Sequence, residues 1–180
     1  MSEPAAARPA SSGALAGALI LALGNPLRGD DGVGGAVLEQ LAARGVPPGV
    51  TLLDGGTAGL ETALLLQGHR RAIIVDAAEL GREPGAWLRL SAAQAPAQPE
   101  RLRGGTLHQA GLPEALALAE ALALLPEHLA IYGIQPAQIG WSPGLSEPVR
   151  RAVPAVCEAI LGELGCHAGR PDGKDKDEHG

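Results

Sequence analysis

The sequence predicts an α/β fold of three layers, in which a mostly parallel, twisted sheet of about five strands carries helices on both faces. Two observations lead to this prediction. Apolar runs of strand length alternate along the chain with segments that have helical spacing. Several of these runs contain consecutive apolar residues without alternation, above all the two Ile and the Val of RAIIVDA at residues 71–77. Such runs are typical of parallel strands that are buried on both faces.

The first half of the chain shows this alternation clearly. Residues 18–23 form a continuous apolar run, and residues 34–43 follow with apolar side chains at helical spacing. Residues 50–53 are short and apolar again. The stretch TAGLETALLLQG, residues 57–68, is predicted as a helix with Thr57 as its N-cap. The strand at residues 71–77 comes next.

The second half continues the pattern with a longer connection. Residues 85–90 alternate apolar and polar side chains, which indicates a strand with one wet face. A linker rich in Pro, Ala and Gln occupies residues 92–99. Helices are predicted at 113–125, which opens on a proline, and at 148–164. The strand HLAIYGIQP, residues 128–136, lies between them.

Length and composition predict one domain. With 180 residues, of which 46% are hydrophobic and 19% charged, the chain resembles an ordinary globular protein. We predict a loose tail at residues 1–15, a single α/β domain at 16–165 and a disordered charged tail at 166–180. The apolar run near the N-terminus is interpreted as the first strand and not as a signal peptide, because its flanks lack the charge pattern and cleavage site.

Charge and cysteine content exclude several classes of function. A formal charge of −6 disfavours binding to nucleic-acid phosphates, which needs clustered Lys and Arg. No basic amphipathic stretch suits a membrane surface, and no stretch is long enough to span a bilayer. The two cysteines are too few for a disulfide scaffold. Cys157 is predicted to be a buried small hydrophobe, and Cys166 is assigned to the tail.

Acidic side chains follow three of the predicted strands. Asp30 and Asp31 come after the first, Asp54 after the second, and Asp76 at the end of the third. His108 is predicted in a turn before the helix at 113–125. Any one of these residues alone is most simply a helix cap or a surface group. Together they are predicted to meet at the carboxyl edge of the sheet, where such folds bind ligands.

The stretch GNPLRGDDGVG, residues 24–34, carries paired negative charge at a glycine-rich turn. Two carboxylates about 4 Å apart repel by about 1 kcal/mol in water, and by more in a drier cleft. Asp30 and Asp31 should therefore point apart unless a cation lies between them. Nucleotide binding is disfavoured, because the glycines do not have the G-x-G-x-x-G spacing of a dinucleotide motif and no Lys-Ser/Thr follows them, as a P-loop requires. Carboxylates with an imidazole instead predict a partly open site for a first-row cation such as nickel or zinc.

At these residues the sequence resembles the hydrogenase maturation endopeptidases, which trim the C-terminus of the nickel-iron hydrogenase large subunit. The resemblance covers roughly residues 19–160 and involves five stretches in order: GNPLRGDDGVG, DGGTAGLE, RAIIVDA, LHQAGL, and GIQP with IGWSPGLSEPV. The resemblance implies a peptidase of the cytoplasm whose substrate is the large-subunit precursor.

The resemblance also implies a set of site residues. The family's metal-contacting residues correspond to Asp31, Asp76 and His108, and Asp54 is implied to lie near the site. These four residues are the predicted catalytic residues. Asp30 has no assigned role. Nickel is implied to arrive bound to the substrate, so that the protease reads it through its open coordination positions. Either the metal or a carboxylate then activates water, with Asp31 or Asp76 as base, or nickel only positions the scissile segment.

Two alternative functions use the same residues. The first is a non-catalytic nickel carrier or sensor, and the second is a generic metallohydrolase of small substrates. A carrier would not shorten a nickel-loaded precursor, and a generic hydrolase would hold its metal tightly by itself. A monomer is expected, because no apolar helix stripe is left over in the predicted elements.

Overall fold

A computed structural model of the protein describes residues 17–91, 94 and 112–168. Within these residues, five strands form one sheet: β1 (Ala18–Ala22), β2 (Val50–Asp54), β3 (Arg71–Ala77), β4 (Trp87–Ser91) and β5 (His128–Ile134). The helices are α1 (Val33–Arg44), α2 (Thr62–Leu65), α3 (Leu112–Ala121) and α4 (Glu147–Ala168). A single 3-10 turn, Asp30–Gly32, precedes α1. The predicted α/β fold is confirmed.

The strand order β2-β1-β3-β5-β4 determines where a ligand site can form. Strands β2, β1, β3 and β5 are parallel, and β4 is an antiparallel edge strand against β5. The chain passes from β1 to β2 on one side and then returns to β3 on the other side of β1. The connections after β1 and β3 therefore diverge, and this switch point leaves a crevice at their carboxyl ends.

Each face of the sheet has its own apolar core, because successive strand side chains point to opposite faces. Ile20 and Ile73 pack toward α1 and α4, together with Val37 and Ile160. Leu19, Leu21 and Ile74 belong to the other cluster, which includes residues of α3. The absence of Phe is compensated by Leu, Ile, Val and Ala on both faces, as expected from the composition.

An ion-pair cluster connects the antiparallel edge strand to α4. The Arg89 guanidinium of β4 donates to both oxygens of Glu163, at 2.7 and 2.8 Å, and the Tyr132 hydroxyl donates to Glu163 at 2.8 Å. The ring of Tyr132 also stacks on Trp87, with 5.8 Å between the centroids. The Arg89 hydrogen bonds lower the pKa of Glu163. Glu163 therefore stays ionised and joins β4, β5 and α4.

Several predicted boundaries differ from the structure. Residues 57–61 form turns, and α2 begins only at Thr62, so the prediction of Thr57 as an N-cap was wrong. The glycines before this segment explain the difference, since Gly56 has a φ of 52° and favours turns. Strand β4 begins two residues later than predicted. Helix α3 ends at Ala121, because the chain turns at Ala123 with a φ of 54°.

Several sequence predictions concern parts that the structure leaves undescribed. Both predicted tails (residues 1–15 entirely, and 166–180 beyond α4) and the linker at 92–99, apart from Gln94, lie outside the described residues. Cys157 is described, and it is fully buried as predicted. Among the helices of the described part, none is long and apolar enough to cross a membrane.

Candidate active site

Asp31 and Asp76 lie at the switch point between β1 and β3. Asp31 is in the 3-10 turn after β1 and is only 1% exposed. Its Oδ2 atom accepts a hydrogen bond from the Asn25 backbone N–H at 3.0 Å. Asp76 is the penultimate residue of β3, where it is partly buried. The two carboxylates are close enough for the charge of Asp31 to affect Asp76.

Gly24 allows the β1 connection to turn so closely over this site. Its φ is 116°, which L side chains rarely adopt, and a Cβ at this position would overlap the Asp31 carbonyl. The backbone N–H of Gly24 donates to the Gly56 carbonyl at 2.7 Å. The connections after β1 and β2 are therefore held together directly beside Asp31. Only glycine fits this position.

Asp76 is a carboxyl group that holds its proton unusually strongly. Burial raises its pKa from 3.8 to about 8, and the nearby charge of Asp31 contributes to the increase. The backbone N–H of Ala77 opposes this effect by stabilising the ionised form. A carboxyl group in this state binds either a proton or another cation. Asp31 and Asp76 together therefore form a place where positive charge is stabilised.

The raised pKa predicts a specific dependence of stability on pH. The unfolded Asp76 ionises near its ordinary pKa of 3.8, whereas the folded residue keeps its proton up to about 8. The folded state therefore binds more protons in this window, and its stability falls as pH rises. Relative to Asp76→Asn, wild type should lose up to about 1.4 kcal/mol of unfolding free energy per pH unit. Urea unfolding with a chelator, at several pH values inside the window, measures this difference. Parallel pH curves for the two proteins would contradict the raised pKa.

The neighbouring Asp30 has a structural role, because its carboxylate binds a distant loop. It is fully buried, and its carboxylate accepts four hydrogen bonds, from the backbone N–H groups of Ala137, Gln138 and Ser146 and from the Ser146 hydroxyl, at 2.6–3.0 Å. These donors belong to the connection between β5 and α4. The carboxylates of Asp30 and Asp31 therefore have different partners, as the repulsion between them predicted. Asp30 fastens the β5–α4 connection to the loop after β1.

Asp30→Asn should destabilise the protein by about 2–4 kcal/mol. The amide nitrogen would replace one carboxylate oxygen in a buried place where only donors point. Urea unfolding measures the loss. Asp54→Asn is the matched control: Asp54 is exposed and accepts a single hydrogen bond, from the Gly56 N–H at 2.8 Å. Its substitution should cost less than about 1 kcal/mol, since the oxygen or water can replace the bond. Equal losses in the two variants would disprove the structural role of Asp30.

A cleft of about 230 Å³ opens beside this turn. Half of its lining consists of glycines, and the remaining lining comes from Pro26, Ala36, Glu39, Asp54 and Leu145. Asp54 thus lies at the cleft, whereas Asp31 and Asp76 are not part of its surface. A lining of glycines lets a polypeptide backbone approach closely. With this volume, the cleft is smaller than a typical cofactor pocket.

The fourth predicted site residue, His108, lies outside the described residues. Within the part of the chain that the structure does describe, no three His, Cys, Asp or Glu side chains are grouped as metal ligands. Asp31 and Asp76 are the two predicted ligands that the fold brings near each other. The ligand set of Asp31, Asp76 and His108 therefore stays a prediction, and so does the catalytic role of Asp54.

Sequence reasoning missed two features near the cleft. The first is the role of Asp30, which the sequence does not distinguish from that of Asp31. The second is a pairing of Arg28 with Trp141, whose ring centroid lies 5.7 Å from the guanidinium carbon. A signal for the second was available, because only two tryptophans occur in the chain and one of them lies in a loop rich in Gly and Pro.

Comparison with known proteins gives a consistent result. The sequence model of the family described as "Hydrogenase maturation protease" matches residues 36–163. The hydrogenase expression/formation protein HupD of Bradyrhizobium diazoefficiens is 37% identical over 161 residues, which cover 84% of this chain and 81% of that protein.

Solved structures agree with this assignment. The hydrogenase maturating endopeptidase HybD from E. coli is similar with a TM-score of 0.73 and 29% identity, over 82% of this chain and 91% of that one. The solution structure of an endopeptidase from Escherichia coli gives a TM-score of 0.75 and 30% identity, with the same coverage of 82% and 91%. The cleft and the paired carboxylates therefore lie in a peptidase fold. The chain belongs to the hydrogenase maturation protease family and is a peptidase.

Proposed function

We propose that the protein removes the C-terminal extension of a nickel-iron hydrogenase large-subunit precursor, and that it recognises nickel already bound in that precursor. Family membership supports the peptidase activity and the connection to hydrogenase maturation. The finer proposal depends mainly on one observation, that the fold brings the carboxyl groups of Asp31 and Asp76 near each other at the switch point between β1 and β3. The cytoplasm as the setting and a monomer as the working form belong to the same proposal.

The chemistry of Asp31 and Asp76 fits a divalent cation supplied by another protein. Two ionised carboxylates would repel each other in this partly dry place, so Asp76 holds either a proton or a cation that it shares with Asp31. Carboxylate oxygens with one imidazole leave several coordination positions open on a first-row metal. In this proposal Asp31, Asp76 and His108 occupy some positions, and the precursor retains the others. Because the cation is shared in this way, the protease binds the precursor at this site only when the precursor contains nickel.

Protonation of Asp76 competes with the binding of a metal ion. At neutral pH Asp76 holds a proton, because its pKa is about 8. Binding of a cation requires that this proton leaves, which weakens the affinity of the isolated protein for metal. A weak affinity for free nickel suits a protease that recognises nickel in its substrate without removing it. Nickel in this position would supply a positive charge that polarises a nearby carbonyl or water.

The cleft supports a peptide substrate. Its glycine lining admits an extended backbone, and Asp54 and Glu39 line the cleft as acidic groups. A segment of the precursor in the cleft would pass next to Gly24 and Gly32, which flank the Asp31 turn in space and in sequence. In this proposal Asp31 or Asp76, which lie behind this wall of the cleft, takes a proton from water when its own carboxyl group is ionised. The proposal assigns no nucleophilic serine or cysteine.

The direct experiment incubates the purified protein with the large-subunit precursor, prepared with and without nickel. Mass spectrometry of the mixture gives both the cut site and the amount of shortened subunit. We expect shortening by one defined C-terminal segment only in the nickel-loaded sample. Cleavage that is equally fast without nickel would overturn nickel recognition. Nickel transfer with no change in precursor mass would support a carrier instead.

A further inference from the structure

Three residues near the cleft form a surface that the peptidase chemistry does not explain. Trp141 is 79% exposed, Leu27 is 59% exposed, and Arg28 lies against the Trp141 ring. We call these three residues the rim patch. Single exposed apolar side chains are normal, so exposure alone carries no inference. The inference is based instead on the position, the rigidity and the charge of the rim patch.

The rim patch borders the cleft on two sides. Leu27 and Arg28 lie between Pro26 and Gly29, both of which line the cleft. Trp141 precedes Gly144, which lines it from the β5–α4 connection. A peptide in the cleft that is still attached to a folded protein brings that protein over these side chains. The rim patch is therefore continuous with the surface that the substrate segment occupies.

The loop that carries Trp141 is held in place. Asp30 binds its two ends through Ala137, Gln138 and Ser146. Gly29 and Ile139 form an antiparallel bridge between the two loops. An anchor that is already rigid loses little conformational entropy when a partner binds. Trp is also the residue type most enriched at energetic centres of protein interfaces.

Arg28 adds a charge that the described part of the chain leaves without a carboxylate partner. None of the ion pairs among residues 17–91, 94 and 112–168 involves Arg28. Its Nε atom is buried without a hydrogen-bond partner there. The guanidinium group lies over the Trp141 ring, 5.7 Å from its centroid. A partner that covers the rim patch should therefore present a carboxylate next to an apolar side chain.

We propose that Leu27, Arg28 and Trp141 form the docking site for the folded body of the protein substrate, separate from the cleft that receives the scissile segment. Trp141 and Leu27 bury an apolar side chain of the substrate, and Arg28 pairs with an adjacent carboxylate. This inference rests on the proposed function, since the occupant is the large-subunit precursor. A docking site of this kind raises affinity without contributing to bond cleavage.

The test separates docking from catalysis by measuring KM and kcat for the nickel-loaded precursor. Trp141→Ala should raise KM, and weaken precursor binding to an immobilised protease, by about tenfold or more, as truncation of an interface anchor does. Its kcat should stay within about twofold of wild type, because the side chain touches no reacting group. Arg28→Gln should raise KM less and should reduce the dependence of binding on salt.

Leu122→Ala is the matched control. Leu122 is 53% exposed and follows α3, next to the start of β5, at the end of the sheet opposite to the site. It should leave KM, kcat and binding unchanged. An unchanged KM in Trp141→Ala overturns the inference, and so does a loss confined to kcat. Thermal unfolding of each variant excludes misfolding as the cause, since an exposed side chain contributes little to stability.

Two further outcomes distinguish this inference from the proposed function. If sedimentation shows a wild-type dimer that Trp141→Ala converts to a monomer, the rim patch binds a second copy of the chain and the inference is wrong. If wild type binds the precursor through the rim patch but does not shorten it, docking stands and the proposed protease function fails. If wild type shortens the precursor and Trp141→Ala has an unchanged KM, the protease function stands and docking at the rim patch fails.

Discussion

Replacing Asp31 by Asn is expected to abolish processing of the precursor while the protein remains folded. Asparagine keeps the shape of the side chain and can still accept the Asn25 N–H bond through its oxygen. It removes one of the two charges that face the proposed cation. Loss of groups that only orient a metal ligand already costs about 10–100-fold, so loss of a ligand should cost about 100-fold or more. Mass spectrometry of the shortened subunit over time measures the rate.

A second measurement on the same variant does not depend on activity. The charge of Asp31 contributes to the raised pKa of Asp76, so Asp31→Asn should lower that pKa. NMR titration of the Asp76 carboxyl carbon detects the shift. Leu122→Ala serves as the control and should change neither processing nor the titration. Normal processing by Asp31→Asn would contradict the proposed role of Asp31. An unchanged pKa of Asp76 in this variant would contradict the proximity of the two carboxyl groups.

Gly34→Ala is expected to destabilise the protein by at least about 3 kcal/mol, which is among the largest effects of one methyl group. Gly34 lies in the first turn of α1, where the helix crosses the ends of β1 and β3. A Cβ there would overlap the Leu23 carbonyl and would lie 2.7 Å from the Val75 carbonyl oxygen. Both obstacles are backbone atoms of the central strands, so neither can move aside cheaply. Urea or thermal unfolding measures the loss, and failure to accumulate as soluble protein is its extreme form.

The next residue provides the matched control for this prediction. Gly35 lies in the same helix, and a Cβ there would have nothing within 4 Å. Gly35→Ala should therefore stabilise α1 by about 0.5–1 kcal/mol, because alanine restricts the unfolded chain more than glycine does. The two variants differ by one position and should change stability in opposite directions. Similar effects of both would show that α1 does not lie as close to the strand ends as the structure has it.

The sequence predicted the sheet well because buried parallel strands leave a strong pattern. The runs at residues 18–23 and 72–75 have no polar interruption that would allow a solvent face, and both became parts of central strands. The region after β2 was predicted less well. Its apolar residues have helical spacing, but Gly55, Gly56 and Gly59 allow the backbone to take consecutive turns instead. Glycine conformations depend on neighbours that periodicity does not reveal.

The site was predictable only in part, for a physical reason. That Asp31 and Asp76 converge follows from the rule that the carboxyl ends of parallel strands share one edge. No local sequence pattern shows that Asp30 binds the β5–α4 connection whereas Asp31 lies at the candidate site. The partners of Asp30 lie 107–116 residues further along the chain. The exposed pair of Arg28 and Trp141 likewise depends on two loops that meet only in the folded protein.

The distance that Asp30 spans has a consequence for biosynthesis. The turn with Asp30 is synthesised 116 residues before Ser146. Until the later segment has been made, the wall of the cleft that Gly144 and Leu145 form is missing. A growing or prematurely terminated polypeptide therefore cannot complete the cleft. The order of synthesis delays formation of the cleft until the ribosome has released the connection between β5 and α4.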